Sequence, residues 1–150
     1  MAKRNALLLV EDNPDDEELT LLAFEQSRIV NEVVVAHDGV EALDYLFGRG
    51  IYTERDLSDM PALILLDLQL PRLNGLEVLQ RLRSDDHTKL IPVVMLTTSN
   101  EQQDLINSYR LGCNSYIRKP VDYDQFVTAL QQLGMYWLVL NEPPPMVSTL

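Results

Sequence analysis

Short segments suited to β-strands alternate along this chain with stretches whose apolar residues recur at helical spacing. The first four segments are uninterrupted apolar or β-branched runs, which is typical of strands buried on both faces of a parallel sheet. The alternation predicts an α/β fold, a doubly wound five-stranded parallel sheet flanked by five helices. The predicted strands are Ala6–Val10, Val33–Ala36, Leu63–Leu66, Val93–Leu96 and the shorter, mixed Ser115–Arg118.

Capping residues precede the predicted helices. Asn13, Asp38 and Asn74 each stand directly before a helical pattern, and their side chains suit the N-cap position. Ser99 and Gln102 have the spacing of a capping box, which predicts that Ser99 caps the next helix. A last helix is predicted from about residue 122 towards residue 140, before a run of three prolines.

Length, charge and cysteine content limit the function classes. The 150 residues suit one domain over residues 1–140, followed by a proline-rich tail over residues 141–150. The formal net charge is −11, which argues against binding to nucleic acid or to an anionic membrane surface. No apolar run approaches the ~20 residues that span a bilayer, and no signal peptide is evident. With Cys113 as its single cysteine, the chain is expected to be cytoplasmic.

Polar residues follow four of the predicted strands. Glu11 and Asp12 follow the first strand, Asp67 the third, Thr97 the fourth and Lys119 the fifth. Because ligands bind at the carboxyl ends of the strands in such sheets, these side chains are expected to converge there. Crowded carboxylates favour a hard cation, and Mg²⁺ leaves positions open for phosphate oxygens. The chemistry therefore predicts Mg²⁺-dependent phosphoryl binding, or phosphoryl transfer onto Asp67.

Four further acids, Asp15, Asp16, Glu17 and Glu18, follow Asp12 within the same acidic stretch. They lie in the first turns of the predicted helix, where the helix dipole favours negative charge. The dipole alone is sufficient to explain these four, whereas Glu11 and Asp12 precede the cap and are interpreted as metal ligands.

Together these motifs resemble the receiver domain of two-component response regulators. The resemblance covers about residues 5 to 138, has every motif in order, and implies the flavodoxin-like receiver fold. It also implies that a sensor histidine kinase phosphorylates Asp67 in a phosphorelay. The matching segments are Glu11-Asp12, Asp67-Leu-Gln-Leu-Pro71-Arg-Leu-Asn-Gly75, Met-Leu-Thr97 and Tyr-Ile-Arg-Lys119-Pro120.

The resemblance also assigns roles in metal binding. Asp12, Asp67 and the backbone carbonyl of Gln69 would hold Mg²⁺, with Glu11 acting through water. These assignments come from the family pattern, whereas the residues alone indicate only a carboxylate-rich site for a divalent cation.

Three further roles concern the phosphoryl group and the response to it. Lys119 and Thr97 would contact the phosphoryl oxygens, and Tyr116 would be the aromatic residue that reorients with Thr97. The residues after Lys119 leave no room for a DNA-binding output domain, so the output is expected to be a protein contact.

Within the family, the chain is most similar to stand-alone regulators of bacterial and cyanobacterial phytochromes, which form homodimers. The similarity lies in the Pro-Val-Val-Met-Leu-Thr-Thr-Ser99 segment, a longer loop before the third strand and an aromatic C-terminal extension. It implies a bacteriophytochrome as the candidate kinase. The end of the last helix is apolar all round, which predicts a homodimer interface. Its predicted residues are Tyr136, Trp137, Leu138, Val139 and Leu140.

Two alternatives remain open. The first is an enzyme with an aspartyl nucleophile acting on a separate substrate, although no second general acid stands two residues beyond Asp12, where Pro14 lies. The second is a degenerate receiver that no longer accepts phosphate, against which Asp12, Asp67, Thr97 and Lys119 argue. We expect a phosphoacceptor whose only chemistry is its own phosphorylation and dephosphorylation, not an enzyme.

Overall fold

The apolar segments form the strands of one sheet in the computed structural model, which describes residues 6–27, 31–119 and 122–145. The strands are β1 (Leu7–Val10), β2 (Val33–Ala36), β3 (Leu63–Asp67), β4 (Val93–Thr97) and β5 (Ser115–Arg118). The α-helices are α1 (Pro14–Gln26), α2 (Gly39–Phe47), α3 (Gly75–Arg83), α4 (Gln102–Arg110) and α5 (Tyr123–Gly134). A 3₁₀ turn, Gly50–Tyr52, follows α2, and a π-helical extension, Met135–Leu140, continues α5.

All neighbouring strands pair in parallel, in the order β2-β1-β3-β4-β5. The predicted doubly wound sheet is therefore confirmed. The chain leaves β1 in one direction to form β2 and crosses back to form β3 on the other side of β1. This switch in strand order opens a crevice at the carboxyl ends of β1 and β3.

The two faces of the sheet bury alternate residues of each strand. Leu8 and Val10 of β1 pack with α2 and α3, whereas Leu7 and Leu9 pack with α1 and α5. Because β1, β3 and β4 are covered on both faces, their residues are apolar without a polar alternation. The central strands thus carry polar side chains only where they end.

The predicted caps of three helices are present. The Asn13 side chain accepts hydrogen bonds from two backbone N–H groups at the start of α1, and the Asp38 side chain accepts one from Glu41. Asn74 and Glu77 form a reciprocal capping box at the start of α3. Each cap lies in the loop that leads from the carboxyl end of a strand to the next helix.

The predicted cap of α4 is wrong. Glu101 occupies the N-cap position and its side chain makes no capping hydrogen bond. The Ser99 hydroxyl instead donates to a carboxylate oxygen of Asp104 (2.6 Å) and accepts from the backbone N–H of Glu101 (3.1 Å). Ser99 thus lies two residues before the N-cap position of α4.

The last helix extends to Leu140, as predicted, with its final six residues in π-helical form. The predicted division at residue 140 places the proline-rich segment after this extension, and residues 146–150 of that segment lie outside the described residues. In the part of the chain that the structure describes, no helix is long and apolar enough to cross a membrane.

Candidate functional site

The carboxyl ends of β1 and β3 bring three carboxylates together. Val10 pairs with Leu66, so the next residues, Glu11 and Asp67, lie side by side. Glu11 and Asp67 are buried, whereas Asp12 is exposed. One carboxylate oxygen of each of these three residues lies within 4.8 Å of the others. The sheet register therefore brings together the predicted carboxylate ligands.

The turn after Asp67 is packed tightly against the start of α3. The backbone N–H of Gly75 donates to the carbonyl of Leu68 (2.8 Å). A Cβ atom at Gly75 would overlap the carbonyl oxygen of Asp67, so only glycine permits this approach. The backbone N–H of Gln69 donates to a carboxylate oxygen of Asp67 (3.3 Å). Gln69 is thus held beside Asp67, while the metal-binding role of its carbonyl remains a prediction.

An ion pair joins the same loop to α2. Arg72 has a left-handed backbone conformation (φ 65°), and its guanidinium donates to both carboxylate oxygens of Asp38 at 3.0–3.1 Å. Asp38 also caps α2, so the pair joins the β3–α3 loop to the start of that helix. Burial acts to raise the pKa of Asp38, but the hydrogen bond from the backbone N–H of Glu41 and the Arg72 guanidinium outweigh it and hold the pKa below its usual value.

Lys119 connects β5 to the carboxylates. Its backbone N–H donates to the carbonyl of Thr97 (2.6 Å). Its Nζ donates to Glu11 Oε1 (2.7 Å), Asp16 Oδ2 (2.9 Å) and Asp67 Oδ2 (3.4 Å). The Lys119 side chain is only 8% exposed. The predicted lysine therefore lies in the site, with its ammonium group surrounded by carboxylates.

The contact with Asp16 was not predicted. The helix dipole is not the full explanation of this residue, because its carboxylate pairs with Lys119. Asp16 stands at the third position of α1, from which its side chain reaches Lys119. No local pattern in the sequence indicates this contact, since Asp12 precedes the cap of α1 and Lys119 lies 103 positions away from Asp16.

Burial and neighbouring charges perturb the pKa values of two site residues. Burial, followed by the nearby Asp67 carboxylate, raises the pKa of Glu11 to about 7, although Lys119 opposes this increase. Burial lowers the pKa of Lys119, but the bonds to Glu11 and Asp16 and the charge of Asp67 outweigh it and raise the pKa above its usual value. The site therefore holds a firmly charged ammonium and an excess of carboxylate oxygens, which are ligands that suit a hard divalent cation.

Thr97 lies at the same edge of the sheet, whereas Tyr116 is the second residue of β5 and lies before that edge. Thr97 ends β4, is fully buried, and accepts a hydrogen bond from the backbone N–H of Ser99 through its hydroxyl oxygen (3.0 Å). Tyr116 pairs with Met95 across β5 and β4. Its hydroxyl is buried without a hydrogen-bond partner among the described residues, and burial raises its pKa. Their roles in phosphoryl binding and switching remain predictions.

The C-terminal extension divides the predicted interface residues into two groups. Trp137 and Leu138 are partly buried and pack against the core between the sheet and α5. Tyr136, Val139 and Leu140 are 51%, 60% and 68% exposed. The three exposed residues are accessible to a second copy of the chain, as the predicted interface requires. Trp137 and Leu138 are partly covered by their own chain.

Comparisons with known proteins agree with this geometry. The family model for the response regulator receiver domain matches residues 7–131. The response regulator Rcp1 of Synechocystis is 38% identical over 132 residues, which cover 88% of each protein. The Mn²⁺-bound structure of Rcp1 has a TM-score of 0.86 and covers 94% of this chain and 99% of that one.

Two other solved structures belong to regulators whose names refer to phytochromes. The phosphorylated cyanobacterial phytochrome response regulator RcpA is 38% identical, with a TM-score of 0.87 over 95% of this chain and 100% of that one. The bacteriophytochrome response regulator AtBRR is 56% identical, with a TM-score of 0.74 over 93% of this chain and 99% of that one.

Proposed function

The chain belongs to the response regulator receiver family, and from this membership we propose that it is a phosphorylation-controlled switch with Asp67 as its acceptor. The observation that carries this proposal is the position of the Asp67 carboxylate. It lies at the end of β3, in contact with Lys119 and beside Glu11 and Asp12. A carboxylate nucleophile, a cation and further oxygen ligands are the components that phosphoryl transfer to a protein requires.

The phosphoryl donor is the phosphohistidine of a sensor kinase, since receiver domains take phosphoryl groups from histidine kinases. The P–N bond breaks while a P–O bond forms to a carboxylate oxygen of Asp67. The leaving imidazole nitrogen keeps the electron pair of the broken bond and takes up a proton. Lys119 stabilises the negative charge on the phosphoryl oxygens, and the Thr97 hydroxyl donates to one of them.

The donor set supports Mg²⁺ as the metal. Glu11, Asp12 and Asp67 offer only oxygen atoms, and burial together with the neighbouring Asp67 carboxylate raises the pKa of Glu11. When bound, Mg²⁺ would neutralise charge on the phosphoryl oxygens and align them with Asp67. Asp12 and Asp67 would hold it with the carbonyl of Gln69, and Glu11 would act through water.

The similarity to RcpA and AtBRR supports a phytochrome-type kinase as the partner. Phosphorylation would alter the surface formed by β5 and the last two helices, so the output is a protein contact. No substrate other than the donor is needed, and we do not assign an enzymatic activity. A cytoplasmic location remains a prediction, which fractionation of cells that express the protein would test.

Incubation with Mg²⁺ and a small phosphodonor, followed by mass measurement, tests the acceptor. We expect one phosphoryl group per chain, lost in Asp67→Asn and retained in the control Asp56→Asn, which removes an exposed carboxylate outside the site. Turnover of many donor equivalents on an added substrate would favour the enzyme alternative. No uptake by the wild-type chain would favour the degenerate receiver.

A homodimer through the C-terminal extension is part of the proposal. Met135, Tyr136, Val139 and Leu140 are between 48% and 68% exposed, and all four lie in the π-helical extension that continues α5. Burial of one large apolar side chain is worth roughly 1.5–3 kcal/mol, so a second copy of this surface is a sufficient partner. Sedimentation across a range of protein concentrations tests the dimer.

A further inference from the structure

The ammonium group of Lys119 has no free donor for a phosphoryl oxygen. An ammonium group has three N–H donors, and three carboxylates accept from this one. Glu11 and Asp16 lie within 2.9 Å of Nζ, whereas the acceptor Asp67 is the most distant of the three at 3.4 Å. Phosphorylation converts the Asp67 carboxylate into an acyl phosphate and so replaces only the longest of the three contacts. The two short contacts hold Nζ closer to Glu11 and Asp16 than to Asp67, so Lys119 must loosen one of them to donate closely to a phosphoryl oxygen.

Solvent exposure indicates which carboxylate gives way. The side chain of Asp16 is 29% exposed, compared with 2% for Glu11. A buried carboxylate that loses its partner bears a large desolvation cost, whereas a partly exposed one regains water. Asp16 also stays in the first turn of α1, where the helix dipole favours its charge. Asp16 is thus the partner that Lys119 releases at least cost.

We propose that Asp16 competes with the phosphoryl group on Asp67 for Lys119, and so limits how tightly the site holds that group. The proposal rests on the proposed phosphorylation of Asp67 and adds a residue that tunes it. Asp16 acts through Lys119 and touches neither the phosphoryl group nor the metal, so it is a positioning residue.

The substitution Asp16→Asn removes the competing charge and keeps a side chain of similar size. We expect it to tighten binding of beryllofluoride, a phosphoryl analogue, in the presence of Mg²⁺ by about fivefold, the size expected for one partly exposed ion pair. The variant Asp16→Glu keeps a carboxylate within reach of Lys119 and should restore an affinity close to that of the wild type.

Asp15→Asn is the matched control. Asp15 is the neighbouring residue in the first turn of α1, and its backbone N–H also donates to the Asn13 side chain. Asp15 is exposed, and its carboxylate makes no contact with Lys119. The two variants change the net charge equally, so the difference in their affinities measures the contact of Asp16 with Lys119.

A second measurement uses the protein without metal or phosphoryl analogue. Nuclear magnetic resonance can follow the exchange of the Lys119 ammonium protons with water. We expect faster exchange in Asp16→Asn than in Asp15→Asn, because one of the three partners of the ammonium group is lost. This readout depends on the ion pair and not on any loaded form of the site.

The outcomes separate this proposal from the proposed function. A wild-type chain that neither binds beryllofluoride nor accepts a phosphoryl group would overturn the proposed function and the role of Asp16 with it. If the wild-type chain does both, equal affinities in Asp16→Asn and Asp15→Asn would overturn only the role of Asp16. Weaker binding in Asp16→Asn would also overturn it, since Asp16 would then support Lys119 in the productive position.

Discussion

At the scale of single residues, Gly75 controls the position of the phosphoacceptor. A Cβ atom at this position would overlap the Asp67 carbonyl oxygen and press on Leu68. We expect Gly75→Ala to lower the free energy of unfolding by about 1–3 kcal/mol, because β3 and α3 must separate to admit the methyl group. Phosphorylation of Asp67 should also slow. The added methyl group would push on the Asp67 carbonyl oxygen and so move the backbone of the phosphoacceptor itself.

Chemical denaturation and the rate of phosphate uptake from a small donor measure the two effects. Gln80→Ala is the control, since Gln80 is exposed on the same helix. A Gly75→Ala protein with wild-type stability and rate would show that the close approach of α3 does not position Asp67.

Glu11 is expected to make the stability of the metal-free protein depend on pH. Burial and the Asp67 charge raise its pKa from 4.5 to about 7 in the folded state. Between these two values the folded state binds more protons than the unfolded state, so the free energy of unfolding falls as the pH rises. The contribution of Glu11 is fully present below pH 4.5 and is lost as the pH passes about 7.

Denaturation of the wild type and Glu11→Gln between pH 4.5 and 8 measures this effect. Glu11→Gln should remove most of the decline over this range, whereas Glu18→Gln, which alters an exposed carboxylate of α1, should keep it. A divalent cation should shift the decline to lower pH, because it favours the ionised carboxylate. Parallel curves for Glu11→Gln and the wild type would contradict the raised pKa.

At the scale of secondary structure elements, Arg83 fastens the end of α3 to the beginnings of β4 and β5. Its guanidinium donates to the carbonyls of Gly112, Lys89 and Ile91 and to the side-chain oxygen of Asn114, all at 2.8–3.0 Å. Burial lowers the pKa of Arg83. The network lies at the end of the sheet opposite to Asp67.

We expect Arg83→Met to cost about 2 kcal/mol in the free energy of unfolding, because the partly buried carbonyls of Gly112 and Ile91 lose their bonds to the guanidinium. Arg83→Lys should recover only part of the lost stability. Its ammonium group still donates hydrogen bonds but lacks the planar fork of the guanidinium. Arg81→Met, on an exposed position of the same helix, is the control. Urea denaturation measures these values, and equal stability of the Met variants at positions 81 and 83 would contradict the role.

Local sequence patterns predict the elements well because they depend on local physics. An uninterrupted apolar run such as Leu63–Leu66 has one stable environment, a strand covered on both faces. Asn13 and Asn74 cap helices through bonds to residues two or three positions away, which the sequence records directly. The predicted Ser99 cap of α4 was wrong because the capping-box spacing does not show which local group the hydroxyl binds. In the structure the hydroxyl donates to the side chain of Asp104.

The site is predictable only in part, for the same reason. Once a parallel sheet is predicted, Glu11 and Asp67 are expected at the same edge, because each follows the end of a strand. The contact of Lys119 with Asp16 joins residues 103 positions apart, and nothing in the local pattern of either residue indicates it. The ion pair of Arg72 with Asp38 likewise depends on how the β3–α3 loop packs against the start of α2. Such contacts follow from packing, which local patterns do not contain.

At the scale of the whole molecule, the net charge of −11 and the carboxylates at the strand ends make stability sensitive to divalent cations. A ligand that binds only the folded state stabilises it, by about 1.4 kcal/mol at ten times its dissociation constant. Mg²⁺ should therefore raise the unfolding midpoint more than NaCl of equal ionic strength, which only screens the charge.

Thermal unfolding with the two salts measures this difference. Asp12→Asn should remove most of the effect of Mg²⁺, because Asp12 belongs to the carboxylate cluster, while Asp56→Asn should keep it. Equal midpoints in Mg²⁺ and in NaCl would contradict metal binding at the cluster.

The exposed residues of the C-terminal extension lead to the last prediction, which concerns assembly. Leu140 is 68% exposed at the end of the extension, and Ile51 is 87% exposed in the 3₁₀ turn after α2. We expect Leu140→Glu to shift the protein towards the monomer in sedimentation velocity, because two added charges would face each other across a symmetric interface. Ile51→Glu adds the same charge at an equally apolar position and should leave the dimer intact. A wild-type chain that sediments as a monomer at every concentration would contradict the dimer, and a monomeric Ile51→Glu would move the interface to the turn after α2.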